Sequence, residues 1–109
     1  MNLRAFVIHL RRAKDRRPQV ERLRRAAPVD TDVVGAVDAA TLDDSAVQSV
    51  YRPHAHRPRY PFHLRTAEVA CFLSHRKCWR LIVEQKLDAA LILEDDVELD
   101  LGRFLPAWN

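Results

Sequence analysis

The stretch A-L-I-L-E-D-D-V-E-L, residues 90–99, runs four apolar residues straight into three consecutive acids. Ala90, Leu91, Ile92 and Leu93 suit a strand buried on both faces, because a half-exposed strand would alternate apolar and polar side chains. Glu94, Asp95 and Asp96 then set like charges side by side, and these repel unless a cation or hydrogen-bond donors compensate them. Two readings follow from these residues. One is a strand that leaves the core through a solvated acidic turn. The other is a divalent-metal site at the carboxyl end of a strand, where open α/β sheets bind their ligands.

Working outward, the preceding segment from Thr66, T-A-E-V-A-C-F-L-S-H-R-K-C-W-R-L-I-V-E-Q, has the strongest helical pattern in the chain. Phe72, His75, Trp79 and Ile82 fall on one stripe, with Val69, Leu73 and Val83 beside it, and this stripe is the expected core face. Ser74 and His75 interrupt it. The N-terminal run Leu3 to Leu10 reads as a buried strand rather than a signal peptide, since no small-residue cleavage site precedes the arginines. A helix should follow, with Asp15 as its N-cap, Pro18 in its first turn, Val20, Leu23 and Ala27 on its inner face and Pro28 ending it. Residues 29–38 read as a second strand closing near Asp38. Residues 42–51 read as a short helix capped by Thr41. The proline-rich segment 53–63 reads as a loop near the substrate, and its His54, His56 and His63 do not form a compact ligand set. The order strand, helix, strand, helix, loop, helix, strand argues for a parallel α/β sheet in one domain.

The 109 residues include only two glycines and are 48% hydrophobic, which excludes a disordered chain. No apolar run approaches the ~20 residues of a membrane helix. Charge is divided unevenly, with 13 basic against 7 acidic residues through Arg65, and 5 against 8 from Thr66 onward. Fifteen of the basic residues are Arg, the side chain that grips phosphate in a bidentate fork. Arginines upstream and acids downstream suit one site, with guanidinium groups on phosphates and carboxylates on a metal. Cys71 and Cys78 stand two helical turns apart, about 10 Å, too far for a disulfide. They read as reduced, buried core thiols, and nothing near them has structural-zinc spacing.

Other chains end a strand in acids. Bacterial response-regulator receivers do so near their N-terminus, which position alone excludes here. A metal-dependent nuclease draws carboxylates from several strands, and Asp38 is the one other obvious strand-end acid. A nucleic-acid binder would interleave aromatics with its arginines, and none accompany these.

Four blocks, in order, resemble glycosyltransferase family 25, which includes lipopolysaccharide-type sugar transferases and relatives of the collagen galactosyltransferases. They are F-V-I-H-L-R-R-A-K-D-R-R, G-A-V-D-A, T-A-E-V-A-C-F-L-S-H-R-K-C-W and the opening acidic strand. His9 stands where the family has Asn, and Ala39, Ala67 and Ala70 replace family glycines, which alters how closely the backbone approaches a ligand.

The resemblance implies a partial GT-A, Rossmann-like nucleotide-binding half with a mainly parallel sheet. Residues 1–109 would form the N-terminal, nucleotide-sugar-binding part of a longer enzyme. The implied activity is metal-dependent, inverting transfer of a hexose, galactose or glucose, from a UDP-sugar to a saccharide acceptor such as lipopolysaccharide core. Mn²⁺ or Mg²⁺ would be held by Asp96 and Glu94. Leu10, Arg12, Arg16, Asp38, Ser74, His75, Glu94 and Asp95 would contact the nucleotide-sugar, Asp95 from behind, and Asp38 is the candidate base. The implied location is cytoplasmic or peripheral at the inner membrane. A half without its acceptor-binding partner is expected to self-associate through its apolar edge, including Leu99, Leu101, Phe104, Leu105 and Trp108. The alternative is a truncated, non-catalytic module that binds a nucleotide or a partner.

Overall fold

A computed structural model describes residues 2–50 and 66–96, and the loop histidines and the apolar positions from Leu99 to Trp108 lie outside them. The described elements are β1 (Leu3–His9), α1 (Arg17–Ala26), β2 (Thr31–Gly35), α2 (Asp44–Val50), α3 (Thr66–Glu84) and β3 (Ala89–Glu94), with single 3₁₀ turns before α1 and α2. The three strands form one all-parallel sheet in the order β2-β1-β3. This is the open α/β architecture expected of a partial Rossmann-like fold.

Position in the sheet explains burial. β1 is flanked on both sides, so Ala5 to His9 are all buried. Buried-strand character therefore belongs to β1 more than to β3, whose Ala90, Leu91 and Ile92 are half-buried and only Leu93 fully so. Side chains alternate across the sheet. Phe6 and Ile8 pack with Val34 and Cys78, with Leu81 and Ile82 of α3 against them. Val7 and Leu93 pack on the opposite face with Val20 and Leu23 of α1. One helix thus covers each face of the sheet.

Several local expectations change. Asp15 does not cap α1. It sits within the 3₁₀ turn Lys14–Arg16, and Arg16 occupies the N-cap without a side-chain cap bond, while Pro18 starts the helix as expected. Preset proline φ and the preceding tight turn start α1 here without a cap. Thr41 does not cap α2 either. Asp43 Oδ1 accepts the Ala46 N–H at 2.7 Å, whereas the Thr41 hydroxyl bonds back to the Asp38 carbonyl. β2 ends at Gly35, short of Asp38.

The largest change is the face α3 buries. Phe72 and Trp79 remain 43% and 46% exposed, and Val83 is 76% exposed, while Val69, Ala70, Ser74 and Cys78 turn inward. Ala70, Ser74 and Cys78 repeat every four residues, and their small side chains let the helix lie close on the sheet. Phe72 and Trp79 pack on each other edge-to-face at 5.9 Å. The same rotation leaves Cys71 exposed, so only Cys78 is a core thiol, and both cysteines are free.

Lys86 closes α3 in the left-handed region at φ 54°, and the Leu87 N–H reaches back to the Ile82 carbonyl at 3.0 Å. Asp88 then exchanges two hydrogen bonds with Asn2, which pins the start of β3 beside β1.

Phe6 is fully buried at the centre of the middle strand. Phe6→Ala is expected to cost about 3–5 kcal/mol in urea unfolding. Val83→Ala, at an exposed position, should stay within about 0.5 kcal/mol.

Candidate functional site

Parallel pairing places the carboxyl ends of all three strands along one edge. His9 lies opposite Gly35, and Ile8 opposite Glu94. The chain segments leaving these strands, together with the first turns of α3, enclose a cleft of about 500 Å³. That volume lies within the ~300–1,000 Å³ range of small-molecule sites. Leu10, Arg12, Arg16, Asp38, Ser74, His75, Glu94, Asp95 and Asp96 all line it, so the structure gathers every site residue named from the sequence around one space. Ala39, Ala67 and Ala70, where the family has glycine, lie on the same wall.

The three acids divide their tasks. Asp95 is buried. Its Oδ2 pairs with His9 Nδ1 at 2.8 Å, and its Oδ1 accepts from Arg16 Nη1 at 3.0 Å. A carboxylate only accepts, so His9 Nδ1 carries the shared proton, and the buried His9 Nε2 has no protein partner among the described residues. Hydrogen bonding to Asp95, followed by its charge, raises the Arg16 pKa and holds that cation beside the acids. Asp95 thus supports the site from behind, on the α1 side of the sheet. Glu94 points the other way, toward α3, where its Oε1 meets His75 Nε2 at 3.3 Å and Cys71 Sγ at 3.4 Å. Asp96 is exposed at the cleft, in the turn after β3.

The opposite wall is a fork. Arg12 donates from Nε to Asp38 Oδ2 at 2.7 Å and from Nη2 to Asp38 Oδ1 at 3.1 Å. These hydrogen bonds, then that from the Ala40 N–H, lower the Asp38 pKa. A carboxylate held by both oxygens and made less basic is poorly suited to abstract a proton. The geometry instead makes Asp38 a post that orients Arg12. Ser74 holds the backbone next to that post. Its hydroxyl donates to the Ala70 carbonyl at 2.8 Å and accepts the Val37 N–H at 2.9 Å, docking the end of β2 on α3. Lys77 adds a hydrogen bond to the Gly35 carbonyl at 3.0 Å.

Sequence reading missed three participants. His9 was noted only as a departure from a family pattern, although the period of β1 places it on the same face as Val7. Cys71 was assigned to the core, although its i, i+4 relation to His75 puts the two on one helix face. Lys77 carried no pattern that pointed to it.

A parallel open sheet with a charged cleft at its carboxyl edge is the arrangement of nucleotide-binding α/β proteins. Comparison with known proteins names the family. Residues 2–105 match the model of "Glycosyltransferase family 25 (LPS biosynthesis protein)", and the chain belongs to that family. It is 33% identical over 103 residues to procollagen galactosyltransferase 2 of Homo sapiens, covering 87% of this chain and 16% of that protein. It is 31% identical over 100 residues to a glycosyltransferase 25 family member of Drosophila melanogaster, covering 89% of this chain and 16% of that one. It is also 35% identical over 98 residues to inactive glycosyltransferase 25 family member 3 of Homo sapiens, again covering 87% and 16%. The matched stretch is thus about a sixth of these relatives' length. No solved structure matches.

Two outcomes check the site. In a carboxyl NMR titration, Arg12→Ala should raise the Asp38 pKa toward the ordinary carboxylate value. Because the folded pKa is depressed, the stabilisation by this pair is complete above the unfolded value and lost as pH falls through the folded one. Arg12→Ala should flatten that acidic limb of the stability profile. Separately, Asp95→Ala strands the buried His9 ring and should lower unfolding stability by about 3 kcal/mol.

Proposed function

We propose that this chain is the nucleotide-sugar-binding part of a glycosyltransferase that moves a hexose, galactose or glucose, from a UDP-sugar to a saccharide acceptor such as lipopolysaccharide core. The observation that supports it is one cleft lined by the guanidinium group of Arg12, held on Asp38, and by that of Arg16, held on Asp95 beside the carboxylates of Glu94 and Asp96. Each guanidinium has five N–H donors, more than its carboxylate partner consumes, and the remainder suit a diphosphate.

Exposed carboxylates on Glu94 and Asp96 fit a hard divalent cation such as Mn²⁺ or Mg²⁺, which takes oxygen ligands. Such a cation, when bound, neutralises charge on the departing diphosphate as a Lewis acid. The protein's own residues do the positioning. Asp95, clasped by His9 and Arg16, holds the turn that presents Asp96. Asp38 and Ser74 hold Arg12 and the end of β2. In an inverting transfer the acceptor hydroxyl must lose its proton to a base on the side away from the leaving group. With both oxygens of Asp38 engaged by Arg12, we favour for Asp38 the role of an orienting group or ribose contact over that of the base.

Among the described residues no helix is long and apolar enough to cross a membrane. A second reading is a non-catalytic nucleotide-binding module. One finding bears on it: this region is 35% identical to a human relative named as inactive and 33% identical to one named as a galactosyltransferase.

Calorimetry with UDP, with and without Mn²⁺, tests the binding. The expected outcome is weak binding that Mn²⁺ strengthens, with the gain lost in Asp96→Ala. Equal affinity in all three conditions would remove the metal from the proposal. UDP release from a UDP-sugar in the presence of saccharide acceptors separates the enzyme from the module.

A further inference from the structure

On the α3 side of the cleft, three side chains of different chemistry converge. Cys71 and His75 stand four residues apart on α3, so they share a face one turn apart. Glu94, the last residue of β3, reaches that face from the sheet. The Cys71 sulfur, a His75 ring nitrogen and a Glu94 oxygen all lie within 4.8 Å of one another. Among the described residues, no other group of three such ligands gathers so closely.

We propose that Cys71, His75 and Glu94 form a three-ligand site for a thiophilic divalent cation, Zn²⁺ foremost, with its fourth position open to the cleft. Ligand type decides the metal. A thiolate and an imidazole favour Zn²⁺ over the hard cations Mn²⁺ and Mg²⁺, which take oxygen. Two of the three ligand separations agree, and the third, Cys71 Sγ to His75 Nε2, lies within 4.8 Å, a gap that side-chain rotation closes on binding. A tetrahedral Zn²⁺ with one sulfur, one nitrogen and one oxygen ligand separates neighbouring ligand atoms by about 3.4–3.6 Å, from its usual bond lengths. Glu94 Oε1 lies 3.3 Å from His75 Nε2 and 3.4 Å from Cys71 Sγ. The first of these is long for an N–H···O hydrogen bond, whose usual range is about 2.7–3.2 Å.

The surroundings support the same conclusion. The Trp79 ring lies tilted beside His75, with centroids 6.5 Å apart. All three ligands line the cleft, so a bound ion would keep a coordination position for water or an anionic group. On binding, the Cys71 thiol becomes a thiolate and its proton passes to solvent. Without a metal, desolvation and then the neighbouring Glu94 carboxylate raise the thiol pKa, so the cluster as it stands disfavours the thiolate that a cation would stabilise.

The site does not depend on sugar transfer and can be tested without a nucleotide. It shares Glu94 with the proposed Mn²⁺ position, so a bound Zn²⁺ would compete for that carboxylate.

The test is titration of the reduced 109-residue chain with Co²⁺, a spectroscopic substitute for Zn²⁺. The expected result is a thiolate-to-metal charge-transfer band that Zn²⁺ abolishes. Cys71→Ser should show no such band, and His75→Gln and Glu94→Gln should each weaken Zn²⁺ binding about tenfold or more. Circular dichroism should show these variants folded, since Cys71 is exposed and His75 half-exposed. In parallel, Zn²⁺ should protect Cys71 from iodoacetamide, read by mass spectrometry, with the buried Cys78 as internal reference. A folded chain that gives no thiolate band overturns the site. So does Zn²⁺ affinity unchanged by Cys71→Ser, or Cys71 alkylation unaffected by Zn²⁺.

Discussion

Asp95 is a carboxylate placed where the sheet ends, buried, and gripped from two directions. His9 holds it from the neighbouring strand, and Arg16 from the turn that starts α1. Taking a carboxylate out of water is costly, and good geometry with hydrogen bonds to both oxygens is what offsets that cost. The consequence is geometric. With Asp95 anchored on the α1 side, Glu94 before it faces α3 and Asp96 after it stands at the cleft. Three adjacent acids, which would repel in a free turn, are sorted into an anchor and two outward carboxylates.

The sheet makes that sorting useful. Because β1 is paired in parallel on both sides, the exits of β1, β2 and β3 meet at one edge. Arg12 and Arg16 follow β1, Asp38 follows β2, and the acids end β3. No two of these groups are close in sequence, yet they share one space. The Arg12–Asp38 fork and the Ser74 bridge from α3 to Val37 then limit how that space can widen.

Two kinds of cation chemistry meet at Glu94. In the proposed nucleotide site it would join Asp96 as an oxygen ligand to a hard ion. Toward α3 it sits against sulfur and imidazole. A half-exposed glutamate with several rotatable bonds can serve either, and which neighbour it joins depends on the cation supplied.

The alternation of strands and helices and the parallel sheet were legible in the chain because they rest on local patterns, whereas most residues of the cleft were named through the family resemblance. Apolar runs of strand length, a helical period and acids at a strand end each carry their meaning in a few neighbouring residues. The family motifs added order over long separations. Other features were not local. The strand Ala89–Glu94 resembled a fully buried one, but burial depends on neighbours, and the middle place went to Leu3–His9. The helix from Thr66 has two plausible inner faces, and its hydrophobic stripe pointed to Val69 and Ile82, which face the core, but also to Phe72, Trp79 and Val83, which do not. Close packing on the sheet selected Ala70, Ser74 and Cys78 instead, which rotated Cys71 out of the core and toward Glu94. The caps moved for a similar reason: Asp15 and Thr41 have suitable side chains, but the chain's path gave the cap positions to Arg16 and Asp43. Which acid is buried, which face is inner and which thiol meets a carboxylate are settled by contacts between residues dozens of positions apart, and no local pattern contains them.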